Sequence, residues 1–139
     1  MVKKLFSTEN SNDSINDFAL LFLRLCAGLT MAFAHGLGKM PPPEMLVQGV
    51  GAMGFPMPEL FAWLAGLSEF LGGLFLAIGL LTRPAAFFMA ITMGVAALVV
   101  HAADPFVKKE MAFLYLFISV FFAIRGAGKF SVDRFICKK

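Results

Sequence analysis

The chain has 139 residues, 59% hydrophobic and only 15% charged, with a mean hydropathy of +0.80. A soluble domain carries roughly 45–50% apolar and about 25% charged residues, so this composition excludes an ordinary soluble domain and points to a membrane protein. The net charge of +3 is no nucleic-acid footprint, because the basic residues lie between and beyond apolar runs and form no face with stacking aromatics.

Residues 1–17 read as a polar, cytoplasmic N-terminal segment. A helix crossing the hydrocarbon core needs about 20 predominantly apolar residues. The first such run covers about 18–38 and contains one formal charge, Arg24. It is expected to be retained rather than cleaved as a signal. Polar residues follow Lys3 and Lys4, Arg24 interrupts the run, and its length exceeds the about 7–15 apolar residues of a signal peptide.

"PPPE" and "FPMP" break helix on both sides of a long loop. The second span, about 59–82, contains Glu69 and places Trp63 in an interfacial belt. "TRP" at 82–84 makes a tight turn, with Pro84 in the next first turn, where it costs little. The third span, about 84–103, has no formal charge apart from what flanks it and closes with His101. The fourth, about 107–125, is uncharged only over 111–124. The apolar stems of Lys108, Lys109 and Arg125 extend it toward the interfaces. Residues 18–126 are therefore expected to form a transmembrane domain, and 127–139 a basic cytoplasmic tail. Cys26 and Cys137 form no CxxC, so neither a dithiol redox motif nor a zinc site is supported.

Lysine and arginine set the orientation. With four spans, one side receives Lys3, Lys4, Arg83, Arg125, Lys129, Arg134, Lys138 and Lys139, and the other receives Lys39, Lys108 and Lys109. This asymmetry puts both termini in the cytoplasm. The expected fold is all-α, an integral membrane four-helix bundle.

A charged side chain at the centre of a membrane helix costs roughly 2.5–3.5 kcal/mol on insertion scales, so Arg24 and Glu69 need partners or an interior face. On a helical wheel Ala62, Ala65, Gly66, Gly72 and Gly73 share the side of Glu69, a packed face, while Phe70, Phe75 and Ile78 turn toward lipid. Arg24, Gly28, Met31 and His35 make one stripe on the first helix, and Ala90, Gly94, Ala97 and His101 one on the third. At about 1.5 Å per residue, Arg24 lies about 10 Å from the cytoplasmic end, Glu69 about 18–20 Å, and His35 and His101 about 26 Å. A ladder of Arg24, Glu69 and two histidines results, with Glu110 entering the fourth helix nearby. Arg24 either pairs with Glu69 or snorkels to the headgroups. Lys39 reads as an interfacial anchor more readily than as a catalytic lysine.

In this order, "LRLCAGLTMAFAHGLGKM", "GFPMPELFAWLAGLSEFLGGLFLAIGLLTRPAA", a histidine closing the third helix, a glutamate opening the fourth, and "GAGKFSVDRFI" resemble the DoxX family of small membrane proteins, over about residues 18–136. The resemblance implies four membrane helices with cytoplasmic termini. Its marked polar positions fall on Arg24, His35, Gly36, Lys39, Glu69, Arg83, His101, Glu110 and Asp133. It also implies an association with membrane oxidoreductase systems of prokaryotic cytoplasmic membranes. "PPPEMLVQG" and "DPFVKKE" are individual to this chain.

Three functions follow as expectations. The first is a membrane oxidoreductase subunit with a quinone-type or small-molecule site inside the bundle. There His35 and His101 donate or shuttle protons, Glu69 and Glu110 pass them on, and a soluble redox enzyme is the partner. A b-type haem on the two histidines is a weaker variant, since two histidines at bundle spacing are common. The second is a non-enzymatic scaffold whose basic cytoplasmic surface docks a soluble enzyme or anionic lipid. The third is a small-molecule carrier, for which so short a chain needs to form a homo-oligomer. The chain shows no metal-ligand pattern, nucleophile–base pair, phosphate loop or dinucleotide fingerprint.

Overall fold

The computed structural model describes residues 13–137; the orientation-setting Lys3, Lys4, Lys138 and Lys139 lie outside them. Helix α1, Asp13–Thr30, runs on through a wide π-helical turn, Met31–Gly36, and a tight 3₁₀ turn, Leu37–Lys39. A short helix α2, Glu44–Ala52, follows inside what the sequence presented as a loop. Then come α3, Pro58–Ile78; α4, Thr82–Val95, extended by a second π-helical turn, Ala96–Val100; α5, Phe106–Arg125; and α6, Val132–Ile136. There is no strand among the described residues.

Local chemistry sets the boundaries of α3. Pro58 occupies the first turn, where its missing N–H costs nothing. Gly79 ends the helix at φ 72, and the Leu80 and Gly79 amides close back on the Phe75 and Leu76 carbonyls at 2.9 and 3.2 Å. This is the double hydrogen bond that glycine termination permits.

The long helices pack in sequence, α1 on α3, α3 on α4, and α4 on α5. All four contribute to one core of Leu20, Ala27, Met31, Leu76, Ala86, Met89, Met93, Tyr115 and Phe122. On α3 the buried face is Ala62, Gly66, Glu69, Gly72, Gly73, Leu76 and Ala77; of the wheel's expectations Ala65 is only half-buried, Ile78 is turned out, and Phe70 and Phe75, expected toward lipid, are half-buried. A Cβ at Gly73 would sit 2.7 Å from the Gly28 carbonyl oxygen, so these two helices meet backbone to backbone. On α4 the buried stripe is Ala85, Ala86, Met89, Met93 and Ala97. Ala90 and Gly94, expected on it, are only half-buried. The stripe is rotated because Met89 packs into the space left by Gly72, its Cγ 3.1 Å from where a Cβ would stand.

Bulky apolar side chains point outward: Phe22, Phe33, Leu64, Phe87, Phe88, Leu98, Phe117 and Ile124 are all exposed. Small residues inside and large apolar ones outside are the arrangement of a lipid-embedded protein. Three helical stretches, Ser14–Lys39, Pro58–Ile78 and Thr82–Val100, are long and apolar enough to cross a membrane. Helix α5 matches them in length, with 20 residues, but carries Lys108, Lys109 and Glu110 near its start and Arg125 at its end.

Candidate functional site

The polar candidates collect at two ends of the bundle. One is the loop end, where α1 and α4 finish and α5 begins; the other is the tail end, where residues 126–137 fold back.

At the loop end the Glu69 carboxylate is buried, and both its oxygens accept from Lys39 Nζ at 2.6 Å. The Glu69 side chain is 2% exposed and that of Lys39 33%. Two close approaches hold this pair. Gly36, ending the π turn, rests directly on the Glu69–Phe70 backbone, where a Cβ would overlap the Phe70 nitrogen. Gly66 lies under Lys39, whose carbonyl oxygen is 2.8 Å from the place a Cβ would take. The lysine stem then runs back over α3 to the acid. Lys39 is thus a direct partner of Glu69.

His35 sits half-buried in the π turn and meets the edge of Tyr115 on α5, with ring centroids 5.4 Å apart and planes at 75°. Tyr115 is the chain's single tyrosine. Its hydroxyl donates to Thr30 Oγ1 at 2.8 Å, and the Thr30 hydroxyl donates to the Cys26 carbonyl at 2.6 Å. One residue before Glu69, Ser68 Oγ accepts from Thr92 Oγ1 at 2.9 Å, tying α3 to α4. Tyr115, Thr30, Ser68 and Thr92 are polar groups that sequence reasoning passed over. A lone tyrosine five residues past Glu110 in an otherwise apolar helix was the available signal.

His101 follows the second π turn and engages Asp104, Nδ1 to Oδ2 at 2.8 Å. The hydrogen bond from His101 holds the Asp104 carboxyl below its ordinary range, helped by the charges of Lys108, His101 and Lys109 and opposed by partial desolvation. Lys108 Nζ stands 3.8 Å from the other oxygen. The two histidine rings therefore have separate partners. Glu110 is exposed on the first turns of α5, with no partner among the described residues.

Arg24 belongs to the tail end and is wholly buried. Its Nη2 donates to the Phe130 carbonyl at 2.5 Å, Nη1 presses against Gly79, and Asp133 supplies the facing negative charge. Glu69 is not its partner, and no part of the guanidinium reaches the protein surface. The Asp133 carboxylate accepts from the Leu81 amide at 2.7 Å and the Thr82 amide at 3.0 Å. It thereby steadies Leu81 at φ 46, an uncommon conformation for a bulky residue. Asp17 accepts from the Lys129 amide at 3.0 Å, with Lys129 Nζ 3.2 Å away. Arg83 is exposed beside Gly126. Cys26 and Cys137 are both free and exposed.

Geometry and packing define an all-helical membrane protein with a buried acid–ammonium pair and an imidazole–phenol contact at one end. The DoxX family model matches residues 19–102, and the chain belongs to that family. It is 32% identical over 138 residues to a Haemophilus influenzae protein named "Uncharacterized protein", covering 94% of this chain and 99% of the relative. It is 30% identical over 123 residues to the Bacillus subtilis protein named "Putative oxidoreductase CatD", covering 88% and 90%. No solved structure matches.

Proposed function

We propose that this protein is the membrane subunit of an oxidoreductase system, with a quinone-type or related small-molecule site at the loop end of the bundle. The observation that carries the reading is the buried Glu69–Lys39 pair beside the π turn that bears His35. π turns are frequent at functional sites, and a buried ion pair in a membrane helix is expensive to keep without use. His35, edge-on to Tyr115, supplies a polar group that a carbonyl-bearing ring could engage at this end. In this reading His101 and Glu110, at the same end, exchange protons with the aqueous side. The name of the Bacillus relative supports the redox reading.

In this reading four helices span, α5 included, and both termini are cytoplasmic. The tail end carries Arg83, Arg125, Lys129 and Arg134, which supports that orientation. The bacterial relatives support a prokaryotic cytoplasmic membrane. In this reading electrons come from a bound cofactor or from a soluble partner enzyme.

The test is photolabelling of the purified full chain with an azidoquinone, read by peptide mass spectrometry. Label is expected on peptides bearing residues 31–40, 64–73 or 115, and is expected to fall in His35→Ala and Lys39→Met. Label confined to the tail end, or unchanged in both variants, rejects the site.

A further inference from the structure

The tail end has a surface that the proposed loop-end site does not use. Arg83 in the first turn of α4, Arg125 at the last residue of α5 and Arg134 on α6 are all exposed. None lies within ion-pair distance of a carboxylate among the described residues. The nearby acids are already committed. Asp17 is taken by Lys129, and Asp133 by two backbone amides and the buried Arg24. Three guanidinium groups are therefore left with open donors.

Apolar side chains are interleaved with them. Phe130, Phe135 and Ile136 are exposed, Phe135 to 83%, on a segment whose other face is fixed by Asp133 and Ser131. Five residues of α6 are too few to be stable alone. The Asp133 amide donates to the Gly79 carbonyl at 2.8 Å, which joins α6 to the end of α3. The segment is thus held at the end of α3, with Arg134, Phe135 and Ile136 exposed on it. Guanidinium forks match phosphate oxygens bidentately, and aromatic side chains settle at the headgroup level.

We propose that the tail end is a binding surface for anionic phospholipid. Arg83, Arg125 and Arg134 engage lipid phosphates, while Phe130, Phe135 and Ile136 enter the glycerol and upper acyl region. The charge complementarity selects an anionic over a zwitterionic lipid, because Asp17 and Asp133 are held by other groups at close range, Arg125 feels only the longer-range charge of Asp17, and Arg83 and Arg134 have no ion-pair partner among the described residues. The segment's attachment to helix ends favours lipid over a soluble protein.

The test is native mass spectrometry of the full-length protein in detergent, titrated with phosphatidylglycerol or phosphatidylcholine. Wild type is expected to retain phosphatidylglycerol at least tenfold more tightly. At about fivefold per basic group, Arg83→Gln/Arg125→Gln/Arg134→Gln is expected to remove that preference, with helical content by circular dichroism unchanged. Arg134→Gln alone, on a surface turn away from the core, should lose about fivefold; this covers the case in which the triple variant does not fold. Lys108→Gln/Lys109→Gln, at the loop end, should change nothing. Equal retention of the two lipids by wild type would overturn the proposal. So would unchanged preference in the arginine variants, loss of preference in the lysine pair, or displacement of lipid by inorganic phosphate at equal concentration.

Discussion

Removing Lys39 and removing Glu69 should have unequal consequences, although the two groups form one pair. The Glu69 side chain is 2% exposed and both its oxygens depend on Lys39 Nζ at 2.6 Å. Lys39→Met leaves an uncompensated carboxylate against Gly36 and the α1 backbone, and breaking a buried pair in this way costs about 3–5 kcal/mol. Glu69→Gln leaves an ammonium that is already one-third exposed at a helix end and has a flexible stem to turn into the interface. That change should cost about 1.5–3 kcal/mol, the scale of a hydrogen bond to a charged group. In the double variant Lys39→Met/Glu69→Gln neither charge remains, so its cost should lie near that of Glu69→Gln alone and well below the sum of the singles. Unfolding of the detergent-solubilised protein in sodium dodecyl sulfate, followed by circular dichroism, gives the three values. If Lys39→Met proves no worse than Glu69→Gln, or if the singles add, Lys39 does not neutralise Glu69 and the loop-end site loses its basis.

Gly73→Ala forces a methyl against the Gly28 carbonyl and the Ala32 amide at 2.7 and 2.8 Å and should destabilise by about 1–3 kcal/mol in the same assay. Gly94→Ala, with nothing within 4 Å, should be neutral or slightly stabilising. Asp133→Ala strips the Leu81 and Thr82 amides of their acceptor and Arg24 of its facing charge, and should cost about 3–5 kcal/mol; Asp133→Asn, which keeps an acceptor oxygen, should cost less. The Asp104 carboxyl is held low by His101, so the folded state binds this proton less readily than the unfolded chain. The stabilisation is complete above the ordinary carboxylate range and is lost as pH falls through and below it. Protection of amides in the α4–α5 turn, corrected for the intrinsic exchange rate, should therefore fall in acid, and Asp104→Asn should abolish that dependence.

The apolar pattern of the sequence carried most of the fold, because lipid makes the inside-out contrast large. The buried faces of α1 and α3 could be read from Gly28, Met31, Gly66, Gly72 and Gly73. The face of α4 could not, because whether Met89 or Ala90 turns inward depends on the hollow at Gly72, a feature of the neighbouring helix. The Lys39–Glu69 pair escaped depth arithmetic for a related reason. Rise per residue alone puts Lys39 about 31 Å from the other end of its span, well beyond Glu69. A four-carbon stem and the wide π turn close that difference, and periodicity registers neither. The partner of Arg24 was illegible in principle, since the Phe130 carbonyl is backbone and leaves no trace in residue type. Asp133 could be marked only by family resemblance, and nothing in the local pattern indicates that it caps α4 from 51 residues away.

A π-helical turn holds more residues than α-winding would place over the same rise. Met31–Gly36 and Ala96–Val100 are therefore slack stored inside two otherwise taut spans, each at or just ahead of a histidine. If evolution deletes a residue from a membrane helix of this family, these are the places where the loss can be absorbed by winding tighter, with the flanking contacts left in register. Alignment gaps within a span should fall there, so that length variation, usually confined to loops, should cluster beside His35 and His101.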